Sequence, residues 1–86
     1  MRVIVDRRVT DRHPELTVGD VEHAVVHAVC SQARMGSEPL QYLGVGPDHA
    51  GRILQWITFQ VDANTWHVYH AMRLTKKVQR ELGLPQ

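Results

Sequence analysis

Apolar residues in the first third of the chain recur every three or four positions, which places one stripe of a helix against a core. The stripe consists of Val18, Val21, Ala24, Val25, Ala28 and Val29. Thr17 precedes it and Asp20 follows three residues later, as in a capping box. Gly36 and Pro39 are typical of a helix end. The pattern therefore predicts one long helix over residues 18–35.

Short apolar segments on either side of this helix predict strands. The candidates are residues 3–5, 40–45, 53–61 and 66–71. Both faces of the segment 53–61 contain apolar side chains, which favours a central strand. A hairpin loop of three or four residues connects it to the last strand, and a one-residue difference moves every side chain to the opposite face. The sequence thus leaves open which face His67 and His70 occupy.

The remaining segments predict a short final helix and an irregular N-terminal region. Leu74, Val78 and Leu82 are spaced by four, which is typical of a helix that packs on one edge. Residues 6–13 are polar and precede Pro14, so we expect an extended segment or loop. Together the elements predict an α+β fold: a small antiparallel sheet of three to four strands, one long N-terminal helix and a short C-terminal helix.

The composition favours a single domain. A chain of 86 residues can bury one modest core, and its 43% hydrophobic and 22% charged content is ordinary for a globular protein. Cys30 is the only cysteine, which rules out an internal disulfide. The apolar run at the N-terminus is too short for a signal peptide or a membrane span. We expect one domain over residues 1–86, located in the cytoplasm, without membrane association.

Basic residues concentrate at the two ends of the chain, although the net charge is only +1. The C-terminal group contains Arg73, Lys76, Lys77 and Arg80. Such a run is typical of a solvated helix face, and it also suits contacts with a nucleic-acid backbone. Trp56 is a candidate for stacking on a base, and core packing is its alternative role. The candidate RNA-binding residues are Lys76, Lys77, Arg80 and Trp56.

One helical row has the residue types of a metal site. His23, His27 and Cys30 lie at i, i+4 and i+7, within one sector of the predicted helix, and imidazole and thiolate both bind zinc. The alternative is that Cys30 packs as a small hydrophobe at the core margin and that the histidines face solvent. A fourth ligand is not evident in the sequence. We therefore assign no metal and no cofactor.

Histidine and arginine in the last two strands suit phosphodiester chemistry. Cleavage of RNA by its own 2′-hydroxyl needs a base, an acid and fixed positive charge at the phosphate. Histidine titrates near neutral pH and arginine matches phosphate oxygens. The hairpin would bring His67 and His70 near Arg52 and Arg73. The alternative for a histidine on a strand is a structural hydrogen bond.

Six short motifs follow one another over residues 12–80. They are Arg12-His13, Leu16-Thr17, Asp20-Val21, Gly51-Arg52, His70-Ala71-Met72 and Thr75-Lys76-Lys77. In order and spacing this set resembles the BrnT-type toxins, small members of the RelE/ParE-like ribonuclease toxins of type II toxin–antitoxin systems. The resemblance implies a compact sheet with helices on one side, RNA cleavage without a metal, and a small cognate antitoxin protein that covers the basic face.

The resemblance also extends the candidate site. The family's Lys/Arg–His pair falls on Arg12 and His13, and its Gly-Arg falls on Gly51 and Arg52. This implies that Arg52 holds the scissile phosphate and that His13 assists the acid or base. The candidate catalytic residues are therefore His70, Arg52, Arg73, His13 and His67.

Two positions depart from the family pattern. Its Ser-Ala-Arg falls on residues 70–72, where Met72 stands in place of the arginine and Arg73 is the nearest substitute. An acidic residue expected early in the final helix falls on Val78. Two hypotheses follow. The chain is either a toxin-like, metal-independent endoribonuclease acting on RNA, or a catalytically incomplete member of the same fold that serves as a protein- or RNA-binding module.

Overall fold

A computed structural model describes residues 1–85 and shows that β-structure dominates this part of the chain. In chain order the elements are β1 (Arg2–Val5), α1 (Arg7–Arg12), α2 (Val18–Val26), β2 (Cys30–Arg34), β3 (Gln41–Pro47), β4 (Ile53–Asp62), β5 (Thr65–Arg73) and α3 (Lys76–Glu81). None of these helices has the length and apolar character needed to cross a membrane.

The strands form one mixed sheet in the order β1-β5-β4-β3-β2. β1 runs parallel to β5, and every other neighbouring pair is antiparallel. The prediction of an antiparallel sheet of three to four strands is therefore wrong. The sheet is larger because β2, which was expected to be helical, joins one edge, and it is mixed because the predicted strand β1 joins the other edge parallel to β5.

The long N-terminal helix is also a wrong prediction, although its start is confirmed. Thr17 Oγ1 accepts from the Asp20 N–H and an Asp20 carboxylate oxygen accepts from the Thr17 N–H, both at 3.0 Å, so the capping box forms. The helix ends at Val26, and the backbone from residue 30 pairs with β3 instead. Val29, which extended the apolar stripe, is 66% exposed, so no core contact stabilises a longer helix.

The polar segment before Pro14 is helical, contrary to the expected loop. Asp6 caps α1 by accepting the Arg8 N–H at 2.9 Å, and Val9 buries against the sheet. Pro14 restricts only the residue before it, and His13 is indeed outside helical geometry at φ −128° and ψ 72°. A proline at this position therefore ends α1 and does not prevent it.

Helices pack on both faces of the sheet, to different extents. Helices α1 and α2 cover one face, the helix-packed face, through a core of Val9, Leu16, Val21, Ala24, Val25, Leu54, Trp56, Val68 and Ala71. Helix α3 packs on the other face, the open face, where Val78 contacts a smaller cluster with Leu43 and Val45. This second cluster lies toward the β3 side. The open face of β5 and the adjoining part of β4 therefore carry partly exposed side chains.

Candidate functional site

A β-bulge in β5 brings two histidines to the same face of the sheet. Residues three apart in a regular strand point to opposite faces. In β5, however, His67 pairs with Phe59 and His70 with Ile57, and Tyr69 is the additional residue between them. Phe59 and Ile57 are two residues apart and share the open face, so both histidines lie there. Bulges of this kind re-aim side chains beside functional sites.

The first cavity on the open face surrounds His70. It has a volume of about 320 Å³ and is lined by Arg8, Arg12, Ile57, Tyr69 and His70; we call it the basic groove. His13 stands beside it, with its ring centroid 6.5 Å from that of His70 and the rings edge to face. His13 reaches this position because it caps the C-terminus of α1, donating its N–H to the Val9 carbonyl.

The charges around His70 disfavour its protonated form. Partial burial lowers the pKa of His70 below its ordinary value, and the positive charges of His13, Arg12 and Arg34 lower it further. At neutral pH the neutral imidazole therefore predominates and can accept a proton. Arg12 takes part in none of the ion pairs among residues 1–85, which leaves its guanidinium able to bind an anion.

A second cavity of about 500 Å³ adjoins the basic groove. Its lining residues are Asp6, Arg8, Pro39, Gln41, Phe59, His67 and Tyr69. Three of them, Phe59, His67 and Tyr69, form a row of rings that we call the aromatic shelf. The Phe59 ring lies 5.1 Å from that of His67 and 6.0 Å from that of Tyr69. Because both cavities include Arg8 and Tyr69, they form one continuous surface.

Asp6 fixes the side chains where the two cavities meet. It accepts hydrogen bonds from the Arg8 side chain at 3.2 Å and from the Arg8 N–H at 2.9 Å. His67 Nε2 lies 3.1 Å from its other carboxylate oxygen. The Arg8 side chain, followed by its backbone N–H and then His67, holds the pKa of Asp6 well below its usual range. Asp6 is therefore charged, and it orients both Arg8 and His67.

The structure does not bring Arg52 or Arg73 together with His70. The Arg52 Nε lies 2.6 Å from an oxygen of Asp48, whose side chain is fully buried, and its Nη2 lies 3.6 Å from Asp20. Arg52 lines neither cavity of the open face. Arg73 is exposed and pairs with Leu54 in the ladder, so it belongs to the helix-packed face, opposite His70. Both arginines thus lie away from the histidines that they were predicted to accompany.

The predicted RNA-binding residues divide into two groups. Trp56 is 3% exposed, and its Nε1–H donates to the Ala24 carbonyl at 3.1 Å, so it belongs to the core and cannot stack on a base. Lys76, Lys77 and Arg80 are exposed on α3 and remain available to a ligand. Their helix packs on the open face through Val78, the face that also carries the two cavities.

The helical row of possible metal ligands does not form. Cys30 lies on β2, whereas His23 and His27 lie at the end of α2 with their rings stacked 4.0 Å apart. His23 Nδ1 lies 2.7 Å from the Pro47 carbonyl oxygen. His27 Nδ1 lies 3.0 Å from the His23 carbonyl oxygen. Within residues 1–85 no three His, Cys, Asp or Glu side chains are grouped so as to hold a metal ion.

Sequence reasoning missed several residues of the open face. Arg8, Phe59 and Asp6 line the two cavities but were not among the candidates. Asp6 two residues before Arg8 is a helix N-cap signal that would have indicated α1. The bulge at Tyr69 has no comparable signal, because a ladder irregularity depends on the partner strand.

Comparison of the chain with family models, with curated proteins and with solved structures found no match.

Proposed function

We propose that this protein is a BrnT/RelE-like toxin, a metal-independent endoribonuclease whose catalytic site is the basic groove. The observation that carries the proposal is the pair of imidazoles of His13 and His70, 6.5 Å apart beside the unpaired guanidinium of Arg12. Each imidazole needs to reach within roughly 3 Å of the proton that it transfers. Rings at this separation can flank a single phosphodiester and contact its two sides.

The chemistry assigns one role to each histidine. His70, neutral at pH 7, takes the proton of the ribose 2′-hydroxyl, and the 2′-oxygen then attacks phosphorus. The bond from phosphorus to the 5′-oxygen breaks, and protonated His13 gives its proton to that leaving oxygen. The products are a 2′,3′-cyclic phosphate and a free 5′-hydroxyl. No metal takes part, because side chains perform both proton transfers.

Positive charge in the groove stabilises the transition state. Arg12 is free of ion pairs and Arg8 lines the same cavity, so both guanidinium groups can contact the phosphate oxygens as negative charge develops. Lys76, Lys77 and Arg80 on α3 would guide the flanking backbone. In this account Arg52 and Arg73 have no catalytic role, in contrast to the assignment from the sequence.

The partner follows from the same charge distribution. A toxin of this type needs an antitoxin, and a small protein with acidic side chains would neutralise the basic groove by covering it. The site of action is the cytoplasm, where its RNA substrate is present. The exposed arginines of the groove, Arg8 and Arg12, support such a partner.

Cleavage by purified protein tests this proposal. A single-stranded RNA is incubated with the protein in EDTA, and a matched substrate carries 2′-deoxyribose at the cleavage position. We expect cleavage of the RNA alone, with a rate lower by roughly 10² to 10⁴ in His70→Gln and by roughly 10² to 10³ in Arg12→Ala. The matched controls are His27→Gln and Arg7→Ala, which remove an exposed histidine and an exposed arginine outside the groove.

The outcomes separate the nuclease from its rival. Equal rates in the wild type and in His70→Gln would contradict the assignment of the groove. The rival, a catalytically incomplete binding module, is favoured by the positions of Arg52 and Arg73, neither of which reaches the groove. RNA binding without cleavage, weakening with salt in proportion to the number of phosphates contacted, would support that module.

A further inference from the structure

We propose that the aromatic shelf is a nucleobase subsite that binds the base next to the phosphate in the basic groove. The inference rests on the proposed function, because the phosphate contact gives the shelf its ligand. Phe59, His67 and Tyr69 present three rings on the open face, where half-buried rings border a cavity of about 500 Å³. Single-stranded RNA is recognised largely by stacking of unpaired bases on such rings.

Continuity with the groove identifies the occupant. The two cavities share Arg8 and Tyr69, so a chain whose phosphate contacts Arg8 places a neighbouring base over the shelf. The guanidinium of Arg8 is held by Asp6 at 3.2 Å, which fixes it at the boundary. Asp6 engages Nε and Nη2 of this guanidinium, so its remaining N–H donors can contact a phosphate while the rings contact the neighbouring base.

The shelf is held in position before any ligand binds. Asp6 holds His67 through the 3.1 Å contact to Nε2, and the His67 ring lies nearly parallel to that of Phe59, with 29° between the planes. The Tyr69 ring is tilted by 39° from that of Phe59. Rings held in this way lose little freedom when a base stacks on them. In this proposal His67 belongs to the base-binding shelf and does not take part in the chemistry.

Gln41 supplies a group that can read the edge of the base. It lines the shelf cavity, and its backbone N–H donates to the Ser37 hydroxyl at 2.8 Å, which fixes the start of β3. None of the side-chain hydrogen bonds formed within residues 1–85 uses the Gln41 amide. A glutamine amide can pair with adenine through two hydrogen bonds, one donated and one accepted. A purine also offers a larger ring than a pyrimidine for stacking on the shelf, so we expect the subsite to prefer adenine to uracil.

Binding of short oligonucleotides tests the subsite apart from cleavage. The His13→Gln, His70→Gln protein serves as the parent, so that the RNA stays intact during the measurement. Fluorescein-labelled hexa-adenylate, hexa-uridylate and an abasic hexamer of the same backbone are titrated at one salt concentration, with fluorescence anisotropy as the readout. We expect the parent to bind hexa-adenylate more tightly than hexa-uridylate, and the abasic strand most weakly.

Two substitutions in the parent separate stacking from edge recognition. Phe59→Leu keeps apolar volume but removes the ring, and it should weaken hexa-adenylate binding about tenfold with little effect on the abasic strand. Gln41→Ala should reduce the ratio between hexa-adenylate and hexa-uridylate affinities. The matched control is Tyr42→Leu, which removes a half-buried ring next to Trp66 on the helix-packed face and should change neither quantity. Circular dichroism of each variant verifies folding.

The results distinguish failure of the subsite from failure of the nuclease. Equal affinity for hexa-adenylate and the abasic strand, or unchanged binding in Phe59→Leu, overturns the subsite even if the wild type cleaves RNA. A wild type that does not cleave RNA, together with the expected losses in Phe59→Leu, overturns the nuclease and retains the subsite. Absence of binding to all three strands overturns the subsite and points to a protein as the ligand of this face.

Discussion

His70 is surrounded by features that all favour its neutral form. Partial burial is the largest of these, and the charges of His13, Arg12 and Arg34 add to it. A pKa lowered by folding means that the unfolded chain binds more protons than the folded one at mildly acidic pH. The same environment that prepares His70 to accept a proton therefore makes it a source of acid sensitivity.

Replacement of His70 should reduce the loss of stability in acid. The contribution of a histidine whose pKa falls on folding is fully present above its ordinary pKa of about 6.5 and decreases as the pH drops below that value. We expect the wild type to lose more unfolding free energy between pH 7.5 and pH 5 than His70→Gln does. Urea unfolding at both pH values measures this difference. An equal loss in the two proteins would contradict the described environment of His70.

Arg52 was a candidate for phosphate binding, but its side chain forms a structural ion pair with Asp48. Burial alone would raise the pKa of Asp48, but hydrogen bonds from the Arg52 side chain and from backbone N–H groups outweigh it and the pKa is lowered. The Arg52–Asp48 pair, with Asp20 at 3.6 Å, ties the turn before β4 to the start of α2.

Removal of Arg52 should therefore destabilise the fold without affecting the chemistry. Arg52→Ala leaves the buried Asp48 carboxylate without its cationic partner, which costs about 3 kcal/mol of unfolding free energy. Arg73→Ala, at an exposed position, should change it by less than about 0.5 kcal/mol. Urea unfolding supplies both values. If Arg52→Ala were as stable as the wild type but did not cleave RNA, this structural role would be contradicted and Arg52 would be assigned to the catalytic site.

At the scale of elements, α2 and β3 approach each other at a glycine. A Cβ atom placed on Gly46 would lie 2.0 Å from the Ala24 carbonyl oxygen, which also accepts the Trp56 indole N–H. Backbone cannot yield as a flexible side chain does, so the helix must move away from the sheet if Gly46 gains a side chain. This contact holds the helix over the strands that carry the site.

Substitution of Gly46 tests this helix–sheet contact. Gly46→Ala should lower the unfolding free energy by about 1–3 kcal/mol, because the added methyl group overpacks the interface. Gly19→Ala is the matched control, since its Cβ would meet nothing closer than 3.7 Å. That change should leave stability equal or raise it by up to about 1 kcal/mol. Thermal or urea unfolding of Gly46→Ala and Gly19→Ala measures both changes in stability. Equal changes in the two variants would contradict the close approach of α2 to Gly46.

Local signals in the sequence predicted several elements correctly. The capping box at Thr17, the strands over residues 53–61 and 66–71, and the final helix are confirmed. The sequence failed where tertiary pairing decides the conformation. Residues 30–34 follow the apolar stripe with no glycine or proline before Gly36, yet they pair with β3 at the sheet edge. Apolar spacing alone cannot reveal where the helix ends, because Val29 fits the helical stripe and is nevertheless exposed in the structure.

The site was predictable only in part, for a similar reason. His13 and His70 were named from residue chemistry and family resemblance, and the structure places their rings together. The sequence could not show that a bulge at Tyr69 turns both β5 histidines to one face. Nor could it show that Asp48 holds Arg52 away from the groove. Such placements depend on ladder irregularities and on contacts between distant segments.

At the scale of the whole molecule, charge is sorted between the two faces of the sheet. The net charge of +1 hides this arrangement. Arg52 is neutralised by carboxylates beside α2, whereas the residues that line the two joined cavities of the open face include two arginines, Arg8 and Arg12, and one carboxylate, Asp6. A nearly neutral protein can therefore attract a polyanion to one face.

The pH dependence of RNA cleavage is the most direct test of the central claim that His13 and His70 act as acid and base. We expect a bell-shaped profile for the wild type in EDTA, whose acidic limb falls below about pH 6.5 because the pKa of His70 is lowered. His70→Gln should lose that limb together with most of the rate, while His27→Gln keeps both. An identical profile in the wild type and in His70→Gln would contradict the account.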